Sequence, residues 1–205
     1  PASPTAGSAA PVNLATGATP IAHGQLAGFG HLTVELNDGL YGNAFSWIGD
    51  GAIPASGPFA GVTLGAAPVP GIQSIAFGRS NVLAGDPCGG GVCTDRSLGL
   101  YTLQYTQVAS PTGAEAVTGD PSTGWAAIGT LDYQSAGGGL FNSPHQRHRF
   151  NFDPVDATGL RLIVPASGLG GGTAIDEIEI YSSAHFTSLR AGESVIIDES
   201  TNAGP

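Results

Sequence analysis

Short apolar or alternating segments follow one another along residues 13–181, and Gly, Pro, Asn and Asp separate them. In residues 101–106 each apolar residue alternates with a threonine or glutamine, so the aromatic and aliphatic side chains share one face. In residues 147–152 the two phenylalanines face the same side as His148. No window shows a sustained helical stripe. This pattern is typical of an all-β chain.

The pattern predicts eight short strands joined by turns. They cover residues 31–36, 61–64, 72–77, 100–106, 125–133, 148–152, 160–164 and 174–181. Strands of this length and spacing predict a β-sandwich or jelly roll. Residues 1–12 are rich in Pro, Ala and Ser and are expected to form an N-terminal arm. Residues 182–205 form a C-terminal tail after the domain of residues 13–181.

The composition excludes several classes of protein. The 205 residues include six Lys and Arg and 16 Asp and Glu, which gives a formal net charge of −10. A surface with so few cations cannot follow a phosphate backbone, so nucleic-acid binding is not expected. No apolar segment approaches the roughly 20 residues that a membrane-spanning helix needs. With 41% hydrophobic residues the chain has enough apolar side chains for a core, which argues against disorder.

The two cysteines, Cys88 and Cys93, lie in the segment CGGGVC, whose glycines let the chain curl until the sulfurs meet. Two cysteines are too few for a zinc site. A loop-pinning disulfide is the favoured interpretation and a reduced pair is the alternative. The disulfide favours an extracellular protein, secreted or at the cell surface. A chain that begins at Pro1 without an initiator Met resembles a mature product, although a trimmed chain would look the same.

The order of several segments is that of a known family. An Asp-Gly turn precedes a Ser-Trp pair, an alternating strand precedes Trp125, and two apolar strands end the domain at residues 157–164 and 174–181. This order resembles the discoidin-type domains, also called coagulation-factor C-type or galactose-binding-like domains. The resemblance implies an eight-stranded jelly-roll sandwich whose loops at one end bind ligands. The chain departs from the family in an insertion at residues 106–124, in the cysteine loop and in lacking the terminal cysteine pair.

The loop of residues 37–46 is a candidate calcium site. A hard cation takes six to eight oxygen ligands from carboxylates, carbonyls and hydroxyls. The loop offers side-chain oxygens and two glycines, and the resemblance implies that a glutamate of the last strand completes the site. The predicted ligands are Asn37, Asp38, Asn43, Ser46 and Glu177. Calcium would then have a structural role, pinning the first loop to the last strand. The alternative is an ordinary Asp-Gly turn with solvated side chains.

The resemblance also implies a glycan site on the loops, because lectins of this kind use His, Arg and an aromatic residue. The guanidinium fork of Arg binds sugar hydroxyls, and an aromatic ring stacks on the apolar face of the sugar. The candidates on predicted loops are His23, Tyr41, Arg79, Arg96 and His145. For the two arginines, pairing with the nearby Asp86 or Asp95 is the favoured alternative. His148, Trp47 and Trp125 are expected in the core rather than at a ligand.

Catalysis has little support in the sequence. No Gly-X-Ser-X-Gly nucleophile motif occurs. Asp176 and Glu177 are neighbours on one predicted strand and face opposite sides, so they are poorly placed to flank a glycosidic bond as a hydrolase requires. The protein is therefore predicted to be non-enzymatic.

Two functions fit these observations. The first is an extracellular, calcium-stabilised glycan-binding or adhesion module. The second is a self-assembling structural subunit of an extracellular filament, sheath or surface layer, because copies with few charges repel one another little. In that case a strand of the tail would add to a sheet edge of a neighbouring copy. This strand consists of Ser194, Val195, Ile196, Ile197 and Asp198. The alternative for the tail is that it packs on its own domain.

Overall fold

The computed structural model describes residues 11–26, 30–40, 45–49, 58–80, 99–133, 145–165 and 173–182. Within these ranges the chain forms ten β-strands and one 3-10 helix, Thr33–Asn37. The strands are β1 (Thr19–Ala22), β2 (Trp47–Ile48), β3 (Phe59–Thr63), β4 (Val69–Ser80), β5 (Gly99–Thr106), β6 (Ala126–Tyr133), β7 (His145–Ala157), β8 (Gly159–Ile163), β9 (Ala174–Ile175) and β10 (Glu177–Tyr181). No helix in the described ranges has the length and apolar character needed to span a bilayer.

The strands form an antiparallel β-sandwich. Five strands make one sheet in the order β1-β3-β8-β5-β6, three make a second sheet in the order β10-β4-β7, and β2 pairs with β9. Both large sheets contribute to one hydrophobic core, through Val62, Leu103 and Leu162 from the first and Ile75 and Ile178 from the second. The all-β sandwich predicted from the sequence is therefore confirmed.

Aromatic side chains fill the centre of the core. The ring of Phe77 lies 4.9 Å from that of Tyr101 and 5.4 Å from those of Tyr133 and Phe150, measured between centroids. Such edge and offset contacts add to the free energy gained from burial. Both tryptophans of the chain are fully buried, which confirms that they anchor the core.

The sandwich has two ends that differ in what connects the strands. At the first, which we call the loop end, β4 and β6 finish and β5 and β7 begin. At the second, which we call the turn end, β3 passes into β4 through residues 64–68 and β7 passes into β8 through Thr158. The strand registers establish the two ends, because Ser80 lies opposite His145 and Thr63 lies opposite Gly159.

Residues 31–36 do not form the predicted strand, since most of them belong to the 3-10 helix. Leu36 is buried, but Leu32 and Val34 are 43% and 62% exposed, so the apolar side chains do not share a buried face. The turn is closed locally, because the Glu35 carboxylate accepts a hydrogen bond from the N–H of Leu32 at 3.2 Å. A side chain that satisfies the backbone within one turn removes the need for a partner strand.

The other seven predicted strands are present, with boundaries that differ by a few residues. The last of them is divided in two at Asp176, whose N–H donates to the carbonyl of Gly78 at 2.9 Å. Two short strands lie outside the predicted set. β1 carries a proline and β2 has only two residues, so neither shows a clear alternating pattern.

The predicted insertion, residues 106–124, folds over the outer face of the five-stranded sheet. Trp125, which directly follows it, packs with Phe59 in a second, smaller apolar cluster on this face. As a consequence, Gln104 and Thr106 are buried although they lie on the polar face of β5. The insertion therefore gives the sheet a cover that the alternating pattern of the strands does not reveal.

Candidate functional site

The turn of Asp38 and Gly39 meets the first residue of β10. The turn follows directly on the 3-10 helix, and Gly39 has a φ of +83°, which glycine adopts without a steric penalty. The Asp38 carboxylate closes the turn by accepting a hydrogen bond from the N–H of Leu40 at 2.8 Å. The N–H of Gly39 donates to the Glu177 carboxylate at 2.9 Å. A direct hydrogen bond thus joins the predicted calcium loop to the last strand.

Glu177 is a buried carboxyl in a negative environment. Its side chain is 3% exposed. Burial is the largest cause that raises the pKa of Glu177 to about 8, and the hydrogen bond from Gly39 opposes the rise. The neighbouring charges of Asp38, Glu179 and Asp176 raise the pKa further. The carboxyl is therefore mainly protonated at neutral pH unless a cation compensates its charge.

Two other predicted calcium ligands make hydrogen bonds that brace the loop. The Asn37 amide donates to two carbonyls in the segment before β1, at 2.7 and 2.9 Å. Ser46 is fully buried, and its carbonyl oxygen lies 2.9 Å from Nδ1 of His31. Asn43 lies outside the described residues. The structure therefore brings Asp38 and Glu177 to one place, and shows bracing contacts for Asn37 and Ser46.

The donor chemistry at this turn suits a hard cation. Two carboxyl groups, Asp38 and Glu177, lie beside a glycine turn, and carboxylate and backbone oxygens are the ligands that Ca²⁺ prefers. Within the described part of the chain, however, no three or more His, Cys, Asp or Glu side chains form a group that could hold a metal ion. Any further ligands would have to be backbone or hydroxyl oxygens. The calcium assignment stays a prediction.

Two of the predicted glycan residues lie on neighbouring strands at the loop end. Arg79 pairs with Gln146 and the adjacent Ser80 pairs with His145, so the register brings the backbones of Arg79 and His145 close together. Other predicted residues lie outside the described ranges, namely Tyr41, Arg96, Cys88, Cys93 and the tail strand 194–198.

His23 also lies at the loop end, but on the other sheet. It directly follows β1, and its N–H donates to the carbonyl of Phe59 at 2.9 Å. Its imidazole lies beside the Phe59 ring, with centroids 6.1 Å apart. His23 therefore belongs to the edge of the five-stranded sheet, whereas Arg79 and His145 belong to the three-stranded sheet.

Arg161 in β8 is a buried cation that the sequence pattern does not reveal. It is 1% exposed, and its guanidinium lies 4.3 Å from the ring of Trp125 and 4.9 Å from that of Phe59. Its Nε donates to the Gln104 side chain at 2.9 Å, and its Nη1 donates to the carbonyl of Gly113 at 2.7 Å. Burial lowers the pKa of Arg161 to about 10, so the side chain keeps its charge at neutral pH.

Glu115 supplies the negative charge that favours the cationic form of Arg161. Its carboxylate accepts hydrogen bonds from the backbone N–H of Thr112 at 2.8 Å, from that of Gly113 at 2.9 Å and from the Trp125 indole at 3.2 Å. Burial pushes the pKa of Glu115 upward, but hydrogen bonds from Thr112 and Trp125 hold it below its ordinary value. The hydrogen bonds of Arg161 and Glu115 together hold the insertion against the five-stranded sheet.

Several solved structures are similar to this chain. Chitosan-binding module 2, in complex with chitotriose, from the chitosanase/glucanase of Paenibacillus sp. IK-5 is 17% identical with a TM-score of 0.54, over 82% of this chain and 99% of that chain. A fucose binding module of Streptococcus pneumoniae is 11% identical with a TM-score of 0.54, over 84% and 96%. The lectin domain of lectinolysin, complexed with Lewis B antigen, is 15% identical with a TM-score of 0.53, over 84% and 98%. No protein-family model and no curated protein matches the sequence.

The likeness extends over nearly the whole length of each of these domains. Identities this low establish a common fold and leave the ligand open. The chain has the discoidin-type, galactose-binding-like β-sandwich fold.

Proposed function

We propose that the protein is a non-catalytic glycan-binding module that works outside the cell. The observation that carries the proposal is the fold, which the chain shares with two carbohydrate-binding modules and a lectin domain. A shared fold alone does not determine function. The proposal therefore also draws on the residues that the strands bring to the loop end.

The glycan would bind at the loop end of the sandwich. There the paired ends of β4 and β7 carry Arg79 and His145. A guanidinium offers several donors to sugar hydroxyls, and an imidazole offers one donor and one acceptor. Phe45, which lies close to the predicted Tyr41 in sequence, is 38% exposed and provides a ring for stacking. This combination of polar groups and an exposed ring is suited to a sugar.

Calorimetric titration with chitotriose, fucose and the Lewis b oligosaccharide tests the proposal. Arg79→Ala and His145→Ala are each expected to weaken binding by at least about tenfold, because each removes hydrogen bonds to the sugar. Thr130→Ala, at an exposed position of β6, is the matched control and should leave affinity unchanged. Failure of these three sugars and of a wider glycan array to bind would contradict the proposal.

Calcium is proposed to stabilise this module at Asp38 and Glu177. The support is the contact between the Gly39 turn and Glu177, together with the burial of the Glu177 carboxyl. A divalent cation between the two carboxylates would favour the ionised form of Glu177, which burial and, to a smaller extent, the neighbouring acids disfavour. It would also join the first loop to β10, so its effect should appear as stability rather than as a change of fold.

Thermal unfolding with added Ca²⁺ and with a chelator measures this effect. Because Ca²⁺ binds the folded state, its addition should raise Tm in the wild type. Glu177→Gln and Asp38→Asn should each abolish the rise, whereas Asp153→Asn, at an exposed position of β7, should keep it. An equal rise of Tm in all four proteins would show that calcium acts elsewhere. No rise of Tm in the wild type would contradict the proposed calcium site.

The extracellular setting is proposed together with a disulfide between Cys88 and Cys93. The support is their spacing in a glycine-rich loop and the persistence of such bonds in oxidising compartments. Peptide mass spectrometry without reduction, on protein from an oxidising expression host, is expected to find the two cysteine peptides joined. Free thiols in that protein would argue for the reduced pair.

A further inference from the structure

A groove opens at the turn end of the sandwich, opposite the loops proposed to bind glycan. Its volume is about 470 Å³, and it is lined by residues 17–19, 63–65 and 110–112 together with Ile21. Small-ligand sites have volumes of roughly 300–1,000 Å³. None of the lining residues belongs to the calcium turn or to the loop-end candidates. The groove is therefore a separate feature of the molecule.

Each of the three walls of the groove turns at a residue with positive φ. The angles are +77° at Gly17, +144° at Gly65 and +48° at Ser110. For serine this conformation costs on the order of 1 kcal/mol, so its surroundings must hold it. The N–H of Ser110 donates to the carbonyl of Gly65 at 3.1 Å, and the Thr63 hydroxyl donates to the carbonyl of Pro111. Two of the walls are thus fixed to each other without a ligand.

The charged side chains of Glu115 and Arg161 hold the third wall, residues 110–112, from behind. The Glu115 carboxylate accepts hydrogen bonds from the N–H and the hydroxyl of Thr112, at 2.8 and 2.9 Å. Arg161 donates to the carbonyl of the next residue, Gly113, at 2.7 Å. Desolvating such a cation is unfavourable, and the hydrogen bonds from Nε to Gln104 and from Nη1 to Gly113 fix the position of the segment relative to β8. These contacts hold the wall in one arrangement before any ligand is present, as a preorganised binding surface requires.

The chemistry of the lining favours an uncharged ligand that carries many hydroxyl groups. No charged residue is among the described residues that line the groove. Thr19 and Ser110 are exposed residues that carry hydroxyls, and Ile21, Leu64 and Pro111 add apolar side chains to the lining. A sugar has the complementary surface, with hydroxyls at its edge and an apolar face.

An extended peptide fits this groove less well than a sugar. A peptide that adds to a sheet needs the outward N–H and C=O groups of an edge strand. The N–H of His23 faces β3, where it binds the carbonyl of Phe59, so alternation places Pro20 and Ala22 on the outward edge of β1. Pro20 has no N–H, and proline on an edge strand opposes the addition of another strand.

We propose that the groove at the turn end is a second carbohydrate-binding site, which takes a neutral oligosaccharide. It is distant from the loop end, so it does not depend on whether glycan binds there. Two sites at opposite ends would let one molecule contact two chains of a glycan.

Amide chemical shifts of the full-length, isotope-labelled protein test this proposal. The probes are three neutral sugars, N-acetylated chitotriose, cellotriose and maltotriose. At least one of them should shift the amides of residues 17–19, 63–65 and 110–112. Thr19→Trp fills the groove and should weaken this response by at least about tenfold. Thr130→Trp places the same side chain at an exposed position of β6 and should leave the response unchanged.

The outcomes separate this site from the one at the loop end. Shifts confined to loop-end amides would overturn the second site and leave the proposed function standing. A groove response that survives in Thr19→Trp would also overturn it. So would a response to an extended Ala-Pro peptide with none to the three sugars, since the groove would then be a peptide site. The proposal is supported if the groove response is lost in Thr19→Trp and kept in Thr130→Trp.

Discussion

Burial and the neighbouring acids favour the protonated form of the Glu177 carboxyl in the folded protein. Its pKa is raised to about 8, chiefly by burial and then by the neighbouring acids. In the unfolded chain the same carboxyl titrates near about 4.3. As the pH rises, the unfolded state releases this proton first. The stability that the bound proton gives the folded state is therefore present at low pH and is lost between the two pKa values.

In the presence of a chelator, the free energy of unfolding should fall by on the order of 3 kcal/mol between about pH 5 and about pH 8. Glu177→Gln keeps an acceptor for the N–H of Gly39 but cannot ionise, so it should lose most of this dependence. Chemical denaturation at the two pH values measures both proteins. A wild type whose stability does not fall over this range would contradict the electrostatic account of Glu177.

The candidate residues differ in how far the sequence predicts them. Asp38 is predicted from the oxygen-bearing side chains of its glycine-containing loop, and Glu177 is predicted because a resemblance in segment order points to its position. Arg161 lies between Leu160 and Leu162, and in an alternating strand this pattern predicts a solvent-exposed arginine. The structure buries it because the insertion covers the outer face of the sheet. Coverage by a distant segment is tertiary information that a local pattern does not contain.

At the scale of elements, β3 and β8 approach closely where Arg161 is buried. Gly61 in β3 lies opposite Arg161 in β8. A Cβ at Gly61 would lie 2.3 Å from the carbonyl oxygen of Leu160 and 2.7 Å from Cα of Arg161. These are backbone atoms, so relief would require the two strands to separate. Only glycine permits this ladder with Arg161 in place.

Gly61→Ala is therefore expected to reduce the free energy of unfolding by about 3 kcal/mol. Gly65→Ala provides the comparison, because its Cβ would meet nothing within 4 Å and only its φ of +144° opposes the change. That strain should cost about 1–2 kcal/mol, less than the clash at Gly61. Denaturant titration followed by tryptophan fluorescence measures both variants. Equal losses would show that backbone strain, and not the contact with β8, decides the result at Gly61.

Strand edges bear on the self-assembly hypothesis. Pro20 interrupts the outward edge of β1, as shown by the pairing of β1 with β3. Asn13 and Leu14 already occupy part of the edge of β10, since the N–H of Leu14 donates to the carbonyl of Ile180 at 2.8 Å and the Asn13 side chain accepts from the N–H of Ile180 at 3.0 Å. An exchanged tail strand would therefore have to find another edge. The exchange stays a prediction.

For secondary-structure elements, as for single residues, a local sequence pattern predicts only part of the structure. Strands such as β5 and β8 are predicted well because one face of each is apolar and enters the core. Residues 31–36 have a similar apolar content, yet the carboxylate of Glu35 closes a turn there. Side-chain hydrogen bonds to the local backbone compete with strand pairing. The sequence therefore predicts the sandwich as a whole better than it predicts the structure of any single short segment.

In the whole molecule, the hydrophobic core that the structure describes is formed by residues that lie between the two predicted arms in sequence. The residues of the main hydrophobic cluster run from Ala15 to Ile180. The segment before β1 is joined to β10 by the hydrogen bonds of Asn13 and Leu14. Among the described residues, the start and the end of the sandwich are therefore tied together within residues 13–180.

A chain of residues 11–182 should consequently fold, with a far-ultraviolet circular dichroism spectrum of the same β type and a cooperative melt within a few degrees of the full-length protein. Light scattering on both chains addresses assembly at the same time. Polymers from the full chain and monomers from the short one would support assembly through the arms, whereas polymers from the short chain would refute the tail mechanism. A short chain that melts without cooperativity would show that an arm contributes to the core, because the buried cluster alone would then be insufficient for two-state folding.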